Sequence, residues 1–222
     1  MTTRSHIDAK ALADDVRQDL TGEAPGSPLT LAPVTGPGVL EPLRRLVAVE
    51  CQAHAVELVS YGTLLTRFPH RPAAELWVTL ARIVHEATPK LRDVARALGM
   101  TETDLAGRPA GSGAYDFHSA MSWIAASGSQ SAAALAVHTD MRVYYSGATA
   151  VARRLRETDA PVPQEFIDYY DDPGDEALAD LALTVAQDGL DRGDDPQDAL
   201  FHAHRIADAL LGVWRAAAAE TV

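Results

Sequence analysis

Apolar residues recur at helical spacing along nearly the whole chain. Over 5–20 the positions Ile7, Leu12, Val16 and Leu20 fall four or five residues apart, which predicts an amphipathic helix. The stretch 22–42 then carries five prolines and four glycines, so it predicts an irregular connection with no sustained helix. Residues 1–36 thus read as an arm that packs on the main body or on a second subunit. From Leu40 the Ala-, Leu- and Arg-rich pattern predicts helices over 40–66, 72–98, 114–126, 129–157, 175–190 and 196–219, joined by short turns. Thr101 and Asp104 form a capping-box pattern after Gly99, and Asp195 stands as an N-cap before Pro196 at the first helical position. No run of useful length alternates at strand period, and no repeat has solenoid spacing. The expected fold class is an all-α bundle over 37–222.

Composition narrows the partners. The chain of 222 residues has 19 Lys plus Arg against 31 Asp plus Glu, a net charge of −12. That balance speaks against a phosphate-backbone binder, so nucleic acid is not an expected partner. The imbalance is also local, because 157–198 holds 14 acids and a single base, Arg192. The lone cysteine, Cys51, excludes an intrachain disulfide framework and any multi-cysteine metal site, which fits a reducing cytoplasm. No stretch approaches the roughly 20 apolar residues of a membrane span, and the start lacks the apolar core of a secretory signal.

Polar residues at the centre of an apolar helix face carry the candidate chemistry. On the helix over 40–66, Leu43, Leu46, Val47, Ala53, Leu58, Leu64 and Leu65 form the apolar face, with Arg44, Arg45 and Gln52 opposite. Glu50, His54, Glu57 and Tyr61 form one stripe down its middle, at offsets of 4, 7 and 11. The helix over 129–157 repeats the anomaly: Asp140 and Tyr144 sit among Ala133, Ala136, Val137, Val143, Val151 and Leu155. His138, Arg142 and Arg153 fall on the reverse side and read as solvent-facing.

A buried carboxylate without a partner costs several kcal/mol or gives up its charge. Glu50, Glu57 and Asp140 therefore need compensation, and the only lysines, Lys10 and Lys90, lie off these faces. A divalent metal, a cationic or amine-bearing ligand, or a shared proton would each supply it. Other candidates are weaker. His85 and Glu86 read as a surface pair near Pro89, and Tyr115 and His118 lie at marginal angles to the same interior. The i,i+2 spacing of His202 and His204 puts the two rings on different sides, with His202 expected outside. No GxSxG, HExxH or P-loop pattern is present, and no nucleotide cofactor is expected.

The helix order and three stretches, ALGMTETDLAGRPAGSGAYDFHSAMSWIAASGS, MRVYYSGATAVARRL and PVPQEFIDYYDDPGDEALADL, resemble the TenA and PqqC-like branch of the heme-oxygenase-like fold over 40–218. The resemblance implies a helical bundle with a central closed pocket, and a homo-oligomer. It places Glu50 as a substrate-contacting acid, Tyr115 as a cavity tyrosine and Tyr144 as the tyrosine following the TenA nucleophile. At the nucleophile position, where thiaminase-type members use cysteine, this chain has Asp140, and the last-helix glutamate falls at Leu210. Thiamine or aminopyrimidine hydrolysis by the covalent thiolate route is thus not expected.

Diiron members of the fold offer a second comparison. Against their Glu-x6-His element the chain reads Glu50-x6-Glu57 with His54 between; Asp140 matches the central aspartate, and Ala136 and Val143 replace both flanking histidines. Glu50, His54, Glu57, Asp140 and, further off, Glu86 make a carboxylate-rich candidate set for iron or manganese, beside a metal-free alternative. Heme oxygenase itself, with His54 as proximal ligand, is a distant third comparison. The expected protein is a small-molecule biosynthetic enzyme acting on an amine-bearing or heteroaromatic substrate, as a dioxygen-using oxidase or oxygenase if a metal binds. His54, Asp140 and Tyr144 are its candidate catalytic residues, and Glu50, Glu57, Tyr61 and Tyr115 its candidate substrate contacts. The alternatives are a silent ligand-binding or regulatory protein and a TenA-type hydrolase without cysteine.

Overall fold

The computed structural model describes residues 7–20, 28–31, 37–107 and 111–218. Ten helices run through them: α1 (Ala9–Leu20), α2 (Pro28–Leu31), α3 (Leu40–Arg67), α4 (Ala73–Ala97), α5 (Glu102–Ala106), α6 (Asp116–Ser127), α7 (Gln130–Arg156), α8 (Gln164–Tyr170), α9 (Glu176–Arg192) and α10 (Pro196–Ala218). No strand occurs among the described residues. The six long helices predicted from Leu40 onward all form, with ends shifted by a residue or two. Most of the proline- and glycine-rich connection, 21–27 and 32–36, lies outside the described residues.

The predicted stops and starts are built from the expected side chains. Thr101 Oγ1 accepts the Asp104 amide at 3.3 Å and Asp104 Oδ2 accepts the Thr101 amide at 2.7 Å, closing the capping box of α5. Asp195 Oδ1 accepts the Gln197 amide at 2.9 Å, just ahead of Pro196 at the start of α10. Pro89 sits inside α4 without ending it.

Helix α7 is the central element, packed against α8, α9 and α10, while α3 lies against α4, α6 and α10. From Gln130 to Thr139 every side chain of α7 is buried. That corrects the sequence reading of His138, which is 8% exposed. A helical wheel sees one face of one helix, whereas α9 and α1 cover the reverse side of α7. Burial, followed by the nearby Arg142 charge, lowers the His138 pKa to about 4. His202 is corrected likewise: it is 3% exposed beneath Trp123, whose ring centroid lies 4.9 Å away.

Helix α1 docks on α7, α9 and α10 of its own chain through Ala9, Leu12 and Val16. Gln187 of α9 holds its start, accepting from the Ala9 amide at 2.8 Å and donating to the Ile7 carbonyl at 3.1 Å.

Candidate active site

A cavity of about 460 Å³ lies between α3, α4, α7, α8 and α10. It receives both polar stripes. Glu50, His54, Glu57 and Tyr61 enter from α3, and Asp140, Tyr144 and Tyr145 from α7. The two stripes pair in opposite directions along their helices. Tyr144 donates to Glu50 Oε1, while Glu57, about 10 Å further along α3 at 1.5 Å per residue, lies within electrostatic range of Asp140, one turn earlier on α7. This is the arrangement of antiparallel helices that face each other across the cavity.

Glu50 is the most thoroughly bonded of the acids. Tyr144 donates to its Oε1 and Tyr170 of α8 to its Oε2. Burial pushes its pKa from an ordinary 4.5 up to about 7, although the phenols of Tyr144, Tyr170 and Tyr169 pull the other way. Replacing Tyr170 by phenylalanine leaves Oε2 without that partner and is expected to cost roughly 1–3 kcal/mol. The phenol favours the ionised carboxylate, so urea unfolding should show a larger loss at pH 8 than at pH 5; equal losses would contradict the assignment.

Glu57 accepts one bond, from the Tyr61 hydroxyl to Oε1 at 3.2 Å. Burial first and the Asp140 charge second hold its pKa well above the usual carboxylate range. Asp140 has no hydrogen-bond partner among the described residues, and burial followed by the Glu50 charge raises it to about 7. Asp140 and the second Glu57 oxygen are not sealed in, because both side chains line the cavity and neither is among the enclosed polar atoms that lack a partner.

His54 is 6% exposed, and burial lowers its pKa to about 4, so the ring is neutral. Its Nδ1 lies 3.0 Å from Thr88 Oγ1, whose own proton goes to the Val84 carbonyl at 2.7 Å. The threonine has no second proton to give, so Nδ1–H donates and Nε2 keeps its lone pair.

Aromatic rings close the remaining sides. Trp214 of α10 stacks on Tyr144 with centroids 6.3 Å apart, beside Leu210. Tyr169 and Tyr170 cover the cavity from α8, and the segment 171–173 completes its mouth. Arg156 pairs with Asp171 at 2.6 Å, and Thr149 donates to the Asp172 carbonyl at 3.1 Å, which clamps that segment to α7. Gly174, at φ +79°, lets the chain pass the Tyr145 ring, since a Cβ there would lie 2.6 Å from Cδ2.

Several sequence assignments need correction. Tyr115 is not among the cavity-lining residues; its hydroxyl is buried without a partner, against His118 with ring centroids 5.7 Å apart. Tyr115 ends a 3₁₀ turn ahead of α6, and that turn packs on α10. Glu86 is exposed, as its surface reading expects, and stands at the mouth 3.9 Å from Arg82, apart from the inner acids of the candidate metal set. Lys90, placed off the polar faces by the sequence, also reaches this mouth.

The metal set is not assembled. Among the described residues no three His, Cys, Asp or Glu side chains converge at ligand spacing. Glu50 is occupied by phenols, and His54 lies at another point of the same wall. These residues do not fit a di-metal centre.

Tyr169, Tyr170 and Trp214 are cavity-lining residues that sequence reasoning missed. Helix α8 has only seven residues, too few to show a period, and its Phe166, Ile167 and Tyr170 contacts become an inward face only through packing on α4 and α7. The paired tyrosines in DYYDDP were the one visible signal.

No family model matches this sequence, and no curated protein matches it. Among solved structures, the fold is similar to that of a TenA homologue from Pyrococcus furiosus, with a TM-score of 0.64 over 93% of this chain and 99% of the other, at 13% identity. The chain therefore has the all-α helical-bundle fold of that TenA homologue. Among the described residues no helix is long and apolar enough to cross a membrane.

Proposed function

We propose that the protein is an enzyme of small-molecule metabolism that binds an amine-bearing heteroaromatic substrate in the α3–α7 cavity and transfers protons to and from it. The observation that carries this reading is the pair of cavity-facing acids, Asp140 and Glu57, facing a space of ligand size with unclaimed oxygens. A carboxyl with a pKa near 7 is matched to give or take a proton at neutral pH, and Asp140 meets that condition. The neutral His54 Nε2 supplies a second acceptor on the same wall, and the rings of Tyr61, Tyr145 and Trp214 provide flat surfaces for a planar ligand.

A thiolate route has no support. Cys51 does not line the cavity, and burial together with the Glu50 charge pushes its thiol up to about 12. The test is a panel of aminopyrimidines and aminopyridines, followed for saturable binding by calorimetry and for turnover by mass spectrometry, with Cys51→Ser alongside. Binding and turnover that survive in Cys51→Ser are expected. Binding without turnover would favour a silent ligand-binding protein of the same fold, and no binding at all would overturn the reading.

A further inference from the structure

Beyond the cavity wall lies a second space, an outer cleft of about 320 Å³ between α7 and the start of α9. Arg142, Ser146, Thr149 and Arg153 line it from α7 at offsets of 4, 7 and 11, which is one face of the helix. Across from them stand Asp175, which caps the Ala177 and Leu178 amides, and Glu176, which pairs with Arg142 at 2.6 Å. Arg153 has no ion pair among the described residues. Met141, Tyr145 and Pro173 line the cleft and the central cavity alike, so these three residues form the partition between the two spaces.

Two parts of that partition are held. Met141 is buried in the core, and Pro173 belongs to the segment that Arg156 and Thr149 clamp to α7. The Gly174 amide adds a bond to Asp172 Oδ1 at 2.9 Å, which fixes the same turn from within. Tyr145 is different. Of the other tyrosines lining the cavity, Tyr144, Tyr169 and Tyr170 are directed at Glu50 and Tyr61 at Glu57, whereas half-buried Tyr145 has no hydrogen bond among the described residues. Its ring meets Tyr144 edge to face, with centroids 5.4 Å apart at 75°, and passes over Gly174, where a side chain would collide with it. Turning the ring out into the cleft therefore breaks one edge contact and no hydrogen bond, and a rotamer change needs no movement of the clamped backbone.

We propose that Tyr145 is a gate between the central cavity and the outer cleft, and that the cleft is a second portal through which water and other small uncharged molecules pass. This portal is separate from the mouth between α4 and α8, because the clamped segment 171–174 runs between the two openings. One phenol ring moved aside opens a passage of about its own cross-section, which suits a molecule of a few heavy atoms. Carboxyls line the inner side of the gate and the unpaired Arg153 guanidinium stands on the outer side, so neither an anion nor a cation finds both sides favourable. The gate does not depend on the functional reading above, and its test needs no substrate.

The test reads collisional quenching of Trp214, which lines the cavity and stacks on Tyr144, with acrylamide as the small uncharged probe. The full-length protein carries Trp77→Phe and Trp123→Phe, so that Trp214 alone reports, together with Cys51→Ser and Ser146→Cys. Coupling N-cyclohexylmaleimide to the thiol introduced at position 146 occupies the outer cleft. With Tyr145 in place, coupling should lower the quenching constant by about half. Tyr145→Phe should behave in the same way, since the hydroxyl holds nothing. Tyr145→Ala should raise the constant at least threefold before coupling, and coupling should cancel that rise. A constant that coupling leaves unchanged when Tyr145 is present would overturn the proposal, because the ring would then stay shut. A rise in Tyr145→Ala that persists after coupling would overturn it too, since acrylamide would be entering by the mouth or through a loosened core.

Discussion

Asparagine at position 140 is expected to raise the stability of the unliganded protein above pH 7 and to leave it nearly unchanged near pH 4. The folded Asp140 carboxyl titrates at about 7 against an ordinary 3.8, because burial and the Glu50 charge both oppose ionisation. Between those values the folded state holds a proton that the unfolded state has released, so stability falls as pH rises and the full penalty is present above pH 7. The displacement of about 3 pH units, at ~1.4 kcal/mol each, sets a ceiling of about 4 kcal/mol. The asparagine amide still occupies an unpartnered position, which brings the expected gain to roughly 2–3 kcal/mol at pH 8. For a chain of this size each kcal/mol moves the melting temperature by roughly 2–4 °C. His54 and His138, both lowered to about 4, contribute the opposite slope between about 4 and 6.5, but they do so in parent and variant alike and cancel in the difference. Calorimetric melts at pH 4, 6 and 8 check the result; a gain independent of pH would show that Asp140 is solvated and ionised in the folded protein. The gain would also show stability given up at this residue for the sake of a binding surface.

The second large effect lies away from the cavity, at Gly189. An alanine there should destabilise the protein by roughly 3 kcal/mol, although alanine is the better helix former by about 1 kcal/mol. Its Cβ would lie 2.5 Å from Asp194 Oδ2, 2.7 Å from the Ser131 amide nitrogen and 3.1 Å from Ser131 Cβ. The Ser131 amide is backbone, and the Asp194 carboxylate that accepts from it would lose that bond by moving away. Asp194 Oδ2 accepts the Ser131 amide at 2.8 Å, capping the start of α7, and the Asp194 amide returns to the Gly189 carbonyl at 3.1 Å. The glycine is the point at which α9 and the start of α7 touch backbone to backbone. A reduced urea midpoint with an unchanged slope is the expected observation, and a stabilised Gly189→Ala protein would contradict this packing.

These two residues illustrate how differently the fold and the site are written in the chain. Helix positions follow from local rules: the 3.6-residue period placed the six long helices, and capping at Thr101 and Asp195 needs only neighbours in sequence. The candidate acids were legible for a related reason, because a carboxylate in the middle of an apolar stripe is an anomaly within its own helix. Glu50, His54, Glu57 and Tyr61 did enter one cavity with Asp140 and Tyr144. Tyr115 did not, since a residue in a turn before a helix has no face that a period can define.

What each acid can do was a tertiary matter. The sequence by itself determined an all-α chain with three carboxyls set into two apolar faces, since periodicity and residue type are local properties. Only the packing of α8 against α7 decided that Glu50 would be taken up by Tyr144 and Tyr170, while Asp140 and Glu57 would face open space. Packing of α9 and α1 on α7 buried His138, and Trp123 of α6 covered His202, although their own helices present both as outward residues. Hydrogen-bond partners and burial come from elements distant in the chain, so no single-helix pattern carries them.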